Sequence, residues 1–175
     1  MPSVACSMLQ VGNPGFSFNE SLAHFMAWAV VAAPLMISAD IHHSIDHESL
    51  SILSAKEIIA IDQDRLGEQG IRVSAPNATG AECWARNLTD GGVAALLLAR
   101  FAPNVTAEVR CFWADMWLGD DTAMMVRDTW TRHDLGECRT SFGAELSGHS
   151  AMLLKLTRTS SPPAQPNPEG PADRA

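Results

Sequence analysis

The sequence has little positive charge and nowhere concentrates it. Twelve Lys and Arg stand against twenty Asp and Glu, for a formal net charge of −8 and a pI near 5.1, with no basic run. Gripping a phosphate backbone takes clustered cations that displace counterions, so this scatter argues against a nucleic-acid partner. Long apolar runs are also missing. The longest, Leu22 to Ile37, is broken by His24 and Pro34 and falls short of the roughly 20 residues that cross a bilayer, so no membrane partner is expected. The start, Met1-Pro2-Ser3-Val4-Ala5-Cys6, has no basic residue and no apolar core, and does not read as a secretory signal peptide. Cys6, Cys83, Cys111 and Cys138 form no CxxC and no Cys/His pair at metal-ligand spacing. The default expectation is four buried or loosely exposed thiols, with a bridge among Cys83, Cys111 and Cys138 left open.

What is present is globular: 46% hydrophobic residues and a mean hydropathy of +0.01. Asn19, Asn77, Asn87 and Asn104 head N-x-S/T sequons without an intervening Pro. They are the candidate glycosylation sites and point to a secretory history.

The pattern changes near residue 70. Before it, Met8 to Asn13 reads as a short strand closing into the turn Asn13-Pro14-Gly15, and Ser17 with Glu20 has capping-box spacing. Leu22, Phe25, Met26, Ala29, Val30 and Ala33 then repeat at threes and fours, which predicts one apolar helix face running as far as Pro34. A second strand, Leu35 to Ser38, leads to a helical region through Leu50, Ile52 and Leu53. A further helix is predicted from a capping box at Ser54 and Glu57 to Gly67, with Ile58, Ile59 and Ile61 on its buried side. Strand, helix, strand, helix belongs to a parallel sheet covered by helices, yet two strands make no self-sufficient sheet.

From Ile71, about seven short strands alternate with turn residues such as Asp90-Gly91-Gly92, Gly119-Asp120-Asp121 and Ser147-Gly148, an antiparallel-sandwich signature. Val105, Val109 and Cys111 alternate with Thr106, Glu108 and Arg110, and Met152, Leu154 and Leu156 oppose Lys155 and Thr157. The prolines at 162, 163, 166, 168 and 171 offer almost nothing apolar to offset ordering entropy, so a disordered tail is expected.

Three stretches resemble family 27 glycoside hydrolases, the α-galactosidase type. Met8 to Gly15 with the Phe25 to Pro34 helix, and Ile58-Ile59-Ala60-Ile61-Asp62-Gln63-Asp64 with Leu66-Gly67, resemble the seventh and eighth β/α units of that barrel. Glu82-Cys83-Trp84-Ala85, Val126-Arg127-Asp128-Thr129-Trp130, Asp134-Leu135-Gly136 and His149 before Leu153 to Leu156 resemble its C-terminal antiparallel domain. The resemblance runs in order over roughly residues 7 to 158.

It implies retaining hydrolysis of terminal α-linked galactose by two carboxylates roughly 5 Å apart, and no cofactor. The family places them on the fourth and sixth barrel strands, upstream of every residue present, so no residue here takes either role and the chain alone is expected to be inactive. Just before the seventh strand the family reads D-P-D-M, where the second Asp and the Met border the sugar. Here the place reads Ala5-Cys6-Ser7-Met8: Met8 matches as a substrate-binding candidate, while Ser7 replaces the Asp and removes a charged acceptor. The departure reads either as a genuine substitution or as a false start at an exon edge, and the second is favoured because the match fails all at once at Met8.

His42, His43 and His47 with Asp40 and Asp46 do not form H-E-x-x-H and read as a polar loop, so no metal is expected. Asp40, at the carboxyl end of the last barrel strand, is a candidate supporting residue, with a loop or cap role as the plain alternative. Trp84, Trp113, Trp117 and Trp130 read as core or barrel contacts more than as sugar platforms, and Asp62, Asp64 and Glu68 as solvated.

The expected fold is therefore a partial (β/α)8 barrel, its last two βα units at residues 1–70, then an antiparallel β-sandwich at 71–159 and a Pro-rich tail at 160–175. The partners of the full-length enzyme would be α-galactosides, in a secreted, vacuolar or lysosomal setting. An α-N-acetylgalactosaminidase segment and a non-catalytic binding or assembly sandwich are the alternatives. The apolar helix face, left bare by an incomplete barrel, must stay wet, fold onto the sandwich or bury against another copy, and its length favours a homodimer or higher oligomer.

Overall fold

The computed structural model describes residues 8–42, 45–74, 80–119 and 121–159; Ser7, His43, Asn77 and the tail predicted at 160–175 lie outside them. The expected first strands reduce to one parallel bridge, Leu9 with Ile37, made by Leu9 N–H donating to Met36 O (2.7 Å) and Ser38 N–H to Leu9 O (3.1 Å). After the first of these, α1 (Phe18–Val30) starts on the predicted capping box: the Ser17 hydroxyl accepts from Glu20 N–H, and the Glu20 carboxylate accepts from Ser17 N–H at 2.8 Å. It ends before Ala33. Ala32 turns to φ 53°, and the amides of Ala33 and Ala32 return to the carbonyls of Trp28 and Ala29, a Schellman closure that also suits the residue ahead of Pro34.

Two short helices follow, α2 (His47–Leu53), capped by Asp46 accepting from Ser49 N–H at 2.6 Å, and α3 (Lys56–Asp62). The capping box predicted at Ser54 and Glu57 does not form. α3 begins after Ala55 with no side-chain cap, the Ser54 hydroxyl donates back to Leu50 O, and Glu57 is drawn to the sandwich by Arg127.

The remaining strands are β1 (Ile71–Arg72), β2 (Ala81–Asn87), β3 (Val93–Ala99), β4 (Thr106–Phe112), β5 (Met124–Asp128), β6 (Asp134–Cys138), β7 (Ser141–Ser147) and β8 (Ala151–Arg158). A six-stranded antiparallel sheet runs β1-β2-β3-β8-β5-β6, and β4 and β7 pair as a second sheet. In β4 the expected alternation holds, with Val109 and Cys111 buried between exposed Thr106, Glu108 and Arg110; Val105 lies outside the strand and is exposed. In β3 alternation fails because both faces are covered. Ala95 and Leu97 face the β4–β7 sheet with Cys83, Leu154 and Leu156, whereas Ala94 and Leu96, with Leu153, face the helices.

The molecule is thus three layers: helices, six strands, two strands. This overturns the expectation that residues before 71 leave an apolar helix face bare. Phe25 and Met26 are each 1% exposed, and Ala29 and Val30 are 0%, in one cluster with Leu9, Ile58, Leu96 and Leu153. Burial of each large side chain contributes about 1.5–3 kcal/mol. The physical ground for predicting association through that face is therefore gone. Gly70 lets the chain cross α1 closely, donating its amide to Val30 O at 2.9 Å where a Cβ would lie 2.5 Å from that oxygen. The thiol expectation is corrected as well: Cys83 of β2 and Cys111 of β4 form a disulfide between the two sheets, while Cys138 is free. Among the described residues no helix is long and apolar enough to cross a membrane.

Candidate functional site at the carboxyl ends of the parallel strands

Leu9 and Ile37 point their strands the same way, so both carboxyl ends emerge together. The first leaves through Gly12, at φ 91°, where a Cβ would meet that of Ala39 at 3.0 Å. The Asn13 amide then donates to Gln10 Oε1 (2.9 Å) and Ser38 Oγ (2.7 Å), and Ser38 Oγ donates to Leu9 O (2.6 Å), tying the two strand ends together. Beyond them opens a groove of about 660 Å³, walled by Asn13, Phe16, Ser38, Asp40 and Asp46.

Asp40 is exposed and accepts the His42 amide at 3.0 Å, the loop-cap role named as its plain alternative. Asp46 is held below the usual carboxylate range by the Ser49 amide it caps. These groups present amides, hydroxyls and carboxylate acceptors, which suits hydrogen bonding to a hydroxylated ligand. Met8 and Met36, each one residue before a partner in the bridge, are 39% and 53% exposed, and Met8 does not line the groove. No group of three His, Cys, Asp or Glu able to hold a metal occurs among the described residues, His42, His47, Asp40 and Asp46 included.

The other residues singled out in the sequence divide. Trp113 is fully buried, Trp84 donates to Glu82, Trp130 packs against Phe18 at 5.8 Å, and Trp117 is exposed. Asp62 is not solvated as expected: it is 8% exposed, and burial pushes its pKa above the ordinary value. Asp64 accepts from the Thr89 amide (3.0 Å) and hydroxyl (2.8 Å), joining the exit of α3 to the sandwich, and Asn87 reaches Glu68 at 3.3 Å.

Sequence reasoning missed the contacts that seat the helices on the sheet. Arg127 of β5 takes Glu57 of α3 in a two-bond fork at 2.8 and 2.9 Å. His149 Nδ1 lies 2.8 Å from Glu20 of α1. Arg86 of β2, 1% exposed, donates to Ala29 O (2.8 Å) and Asp62 O (3.3 Å), placing a cation at the negative ends of α1 and α3. Nothing local marks these pairs; they lie 24 to 129 residues apart.

Two βα units laid on an antiparallel sandwich define the closing part of a barrel enzyme with a C-terminal β domain. Residues 4–64 match the family described as alpha galactosidase A and residues 78–156 the alpha galactosidase C-terminal beta sandwich domain, and the chain belongs to this family, the family 27 glycoside hydrolases, as a C-terminal part. It is similar to a probable alpha-galactosidase of Dictyostelium discoideum, 36% identical over 154 residues that are 87% of this chain and 39% of that one. Among solved structures, alpha-galactosidase I of Mortierella vinacea superposes with a TM-score of 0.79 at 25% identity, over 89% of this chain and 39% of that one. The Saccharomyces cerevisiae alpha-galactosidase solved with raffinose shares the fold, with a TM-score of 0.78 at 18% identity over 87% and 46%. The chain spans less than half the length of these relatives.

Proposed function

We propose that this chain supplies the last two barrel units and the sandwich of a retaining α-galactosidase, and that cleavage of terminal α-linked galactose belongs to the barrel once its remaining strands are in place. The observation that carries this reading is the polar groove at the carboxyl ends of a parallel pair, the end at which barrel enzymes build their sites. Retaining chemistry requires one carboxylate to attack the anomeric carbon while a second, roughly 5 Å away, protonates the leaving oxygen. In the groove Asp40 and Asp46 serve backbone amides, so this chain contributes the rim that receives hydroxyls. Ser7, where the family has Asp, lies outside the described residues.

The purified chain is expected to show no turnover of an aryl α-galactoside. Turnover that persists when Met8 is changed would overturn the reading. The inter-sheet disulfide supports an oxidising setting, secreted, vacuolar or lysosomal. Of the described sequons, Asn104 stands exposed in a turn, Asn19 lies in the first turn of α1, and Asn87 closes β2 against Glu68. Asn104 is therefore the favoured glycan acceptor, and mass spectrometry of protein from a secreting host, before and after enzymatic deglycosylation, is expected to find it occupied.

A further inference from the structure

A second hollow, of about 380 Å³, opens where the start of α1 meets the end of β3 and the turn before β8. That volume lies in the range of small-ligand pockets. Ala23, Leu98 and Ala99 make it apolar on one side, while Glu20, Arg100 and His149 bring a carboxylate, a guanidinium and an imidazole to its rim. Phe16, 46% exposed, walls this hollow and also the groove at the strand ends, so the two adjoin across one aromatic ring.

The polar groups are held in place. Glu20 accepts from the Ser17 amide and hydroxyl, both at 2.8 Å, and lies 2.8 Å from His149 Nδ1. His149 sits at φ 61°, fixed by its amide bond to Ala99 O at 2.8 Å, and keeps Nε2 as a second hydrogen-bonding atom. Arg100 pairs through Nη1 with Glu82 at 2.9 Å, with its side chain 65% exposed.

This mixture selects by chemistry. An anion meets Glu20, a cation meets Arg100, and a wholly apolar ligand would strip water from both. A neutral ring carrying hydroxyls suits all of them: its C–H face lies on the aromatic ring and its hydroxyls meet one strong acceptor and several donors. We propose that this hollow is a subsite for a sugar ring beyond the terminal galactose, carrying oligosaccharide substrates from the groove across Phe16 onto the sandwich. The inference rests on the α-galactosidase reading for what occupies the groove.

The test is an amide chemical-shift titration of the isotopically labelled full chain with raffinose, and with sucrose, which is raffinose without its galactose. Both sugars are expected to shift Ala23, Ala99, Arg100 and His149, and Phe16→Ala and Arg100→Gln to weaken binding about tenfold or more. Phe16→Leu, which keeps bulk without an aromatic face, serves if the alanine variant loses dispersion. Absence of shifts in the hollow, or shifts that survive both aromatic substitutions, overturns the proposal. Shifts with raffinose and none with sucrose overturn it too, because the hollow would then read galactose itself. Sugar binding here in a chain whose completed barrel fails to hydrolyse α-galactosides would sink the enzyme reading and leave the sugar site standing.

Discussion

Arg86 shows how one buried side chain commits the helices to the sheet. Its guanidinium spans the ends of α1 and α3 at once, with Nε and Nη2 bonded to nothing among the described residues, as is Oδ1 of neighbouring Asp62. Truncating this buried charge removes its hydrogen bonds to both helix ends and costs about 3 kcal/mol or more, so Arg86→Ala is expected to lower the urea midpoint sharply. Two carboxylates give opposite pH signatures. Asp62, raised by burial, favours the folded state below its unfolded value of 3.8, and that contribution fades as pH rises through the higher folded value. Asp62→Asn is expected to remove this loss. Glu20, lowered from 4.5 to about 2 chiefly by the Ser17 amide, contributes stability above 4.5 that disappears as pH falls toward 2. Chemical denaturation of Glu20→Gln across that interval is expected to show a flatter acid limb than the parent.

At the scale of elements, α1 is where sequence and structure part most instructively. Its face is laid against β2, β3, β8, α2 and α3. Phe25→Asp with Val30→Asp is accordingly expected to unfold the chain, since two buried charges exceed the margin of a small domain, and circular dichroism would register lost helix. Retained helix with only a change of oligomeric state would restore the bare-face expectation. The Ser17–Glu20 cap and the β4 alternation were legible because their causes lie within a few residues. The Ser54–Glu57 cap was misread because Arg127, 70 positions away, holds Glu57. The apolar run of β3 told of burial on both faces, yet only topology shows that helices form the second cover. The disulfide needed β4 set over β2, which spacing does not reveal. It closes a separation of 28 residues, and its reduction is expected to cost roughly 3–4 kcal/mol in denaturation midpoints compared with and without reductant.

For the whole molecule, the family and the order barrel unit, barrel unit, sandwich were readable from motifs, whereas the groove's wiring through Asn13 and Ser38 was not, because it depends on bringing two strands side by side. The shared core makes the helices and sheet one protected body, so limited proteolysis is expected to leave a product that includes α1 instead of stopping near residue 70. The central claim, that this chain completes an α-galactosidase barrel, meets its most direct test in a chimera. Residues 8–159 would replace the corresponding part of the Dictyostelium discoideum relative, which retains its own upstream strands. Hydrolysis of an aryl α-galactoside by that chimera, with none by the isolated chain, is the expected result. A chimera that folds, by circular dichroism and gel filtration, and yet shows no turnover would contradict the account.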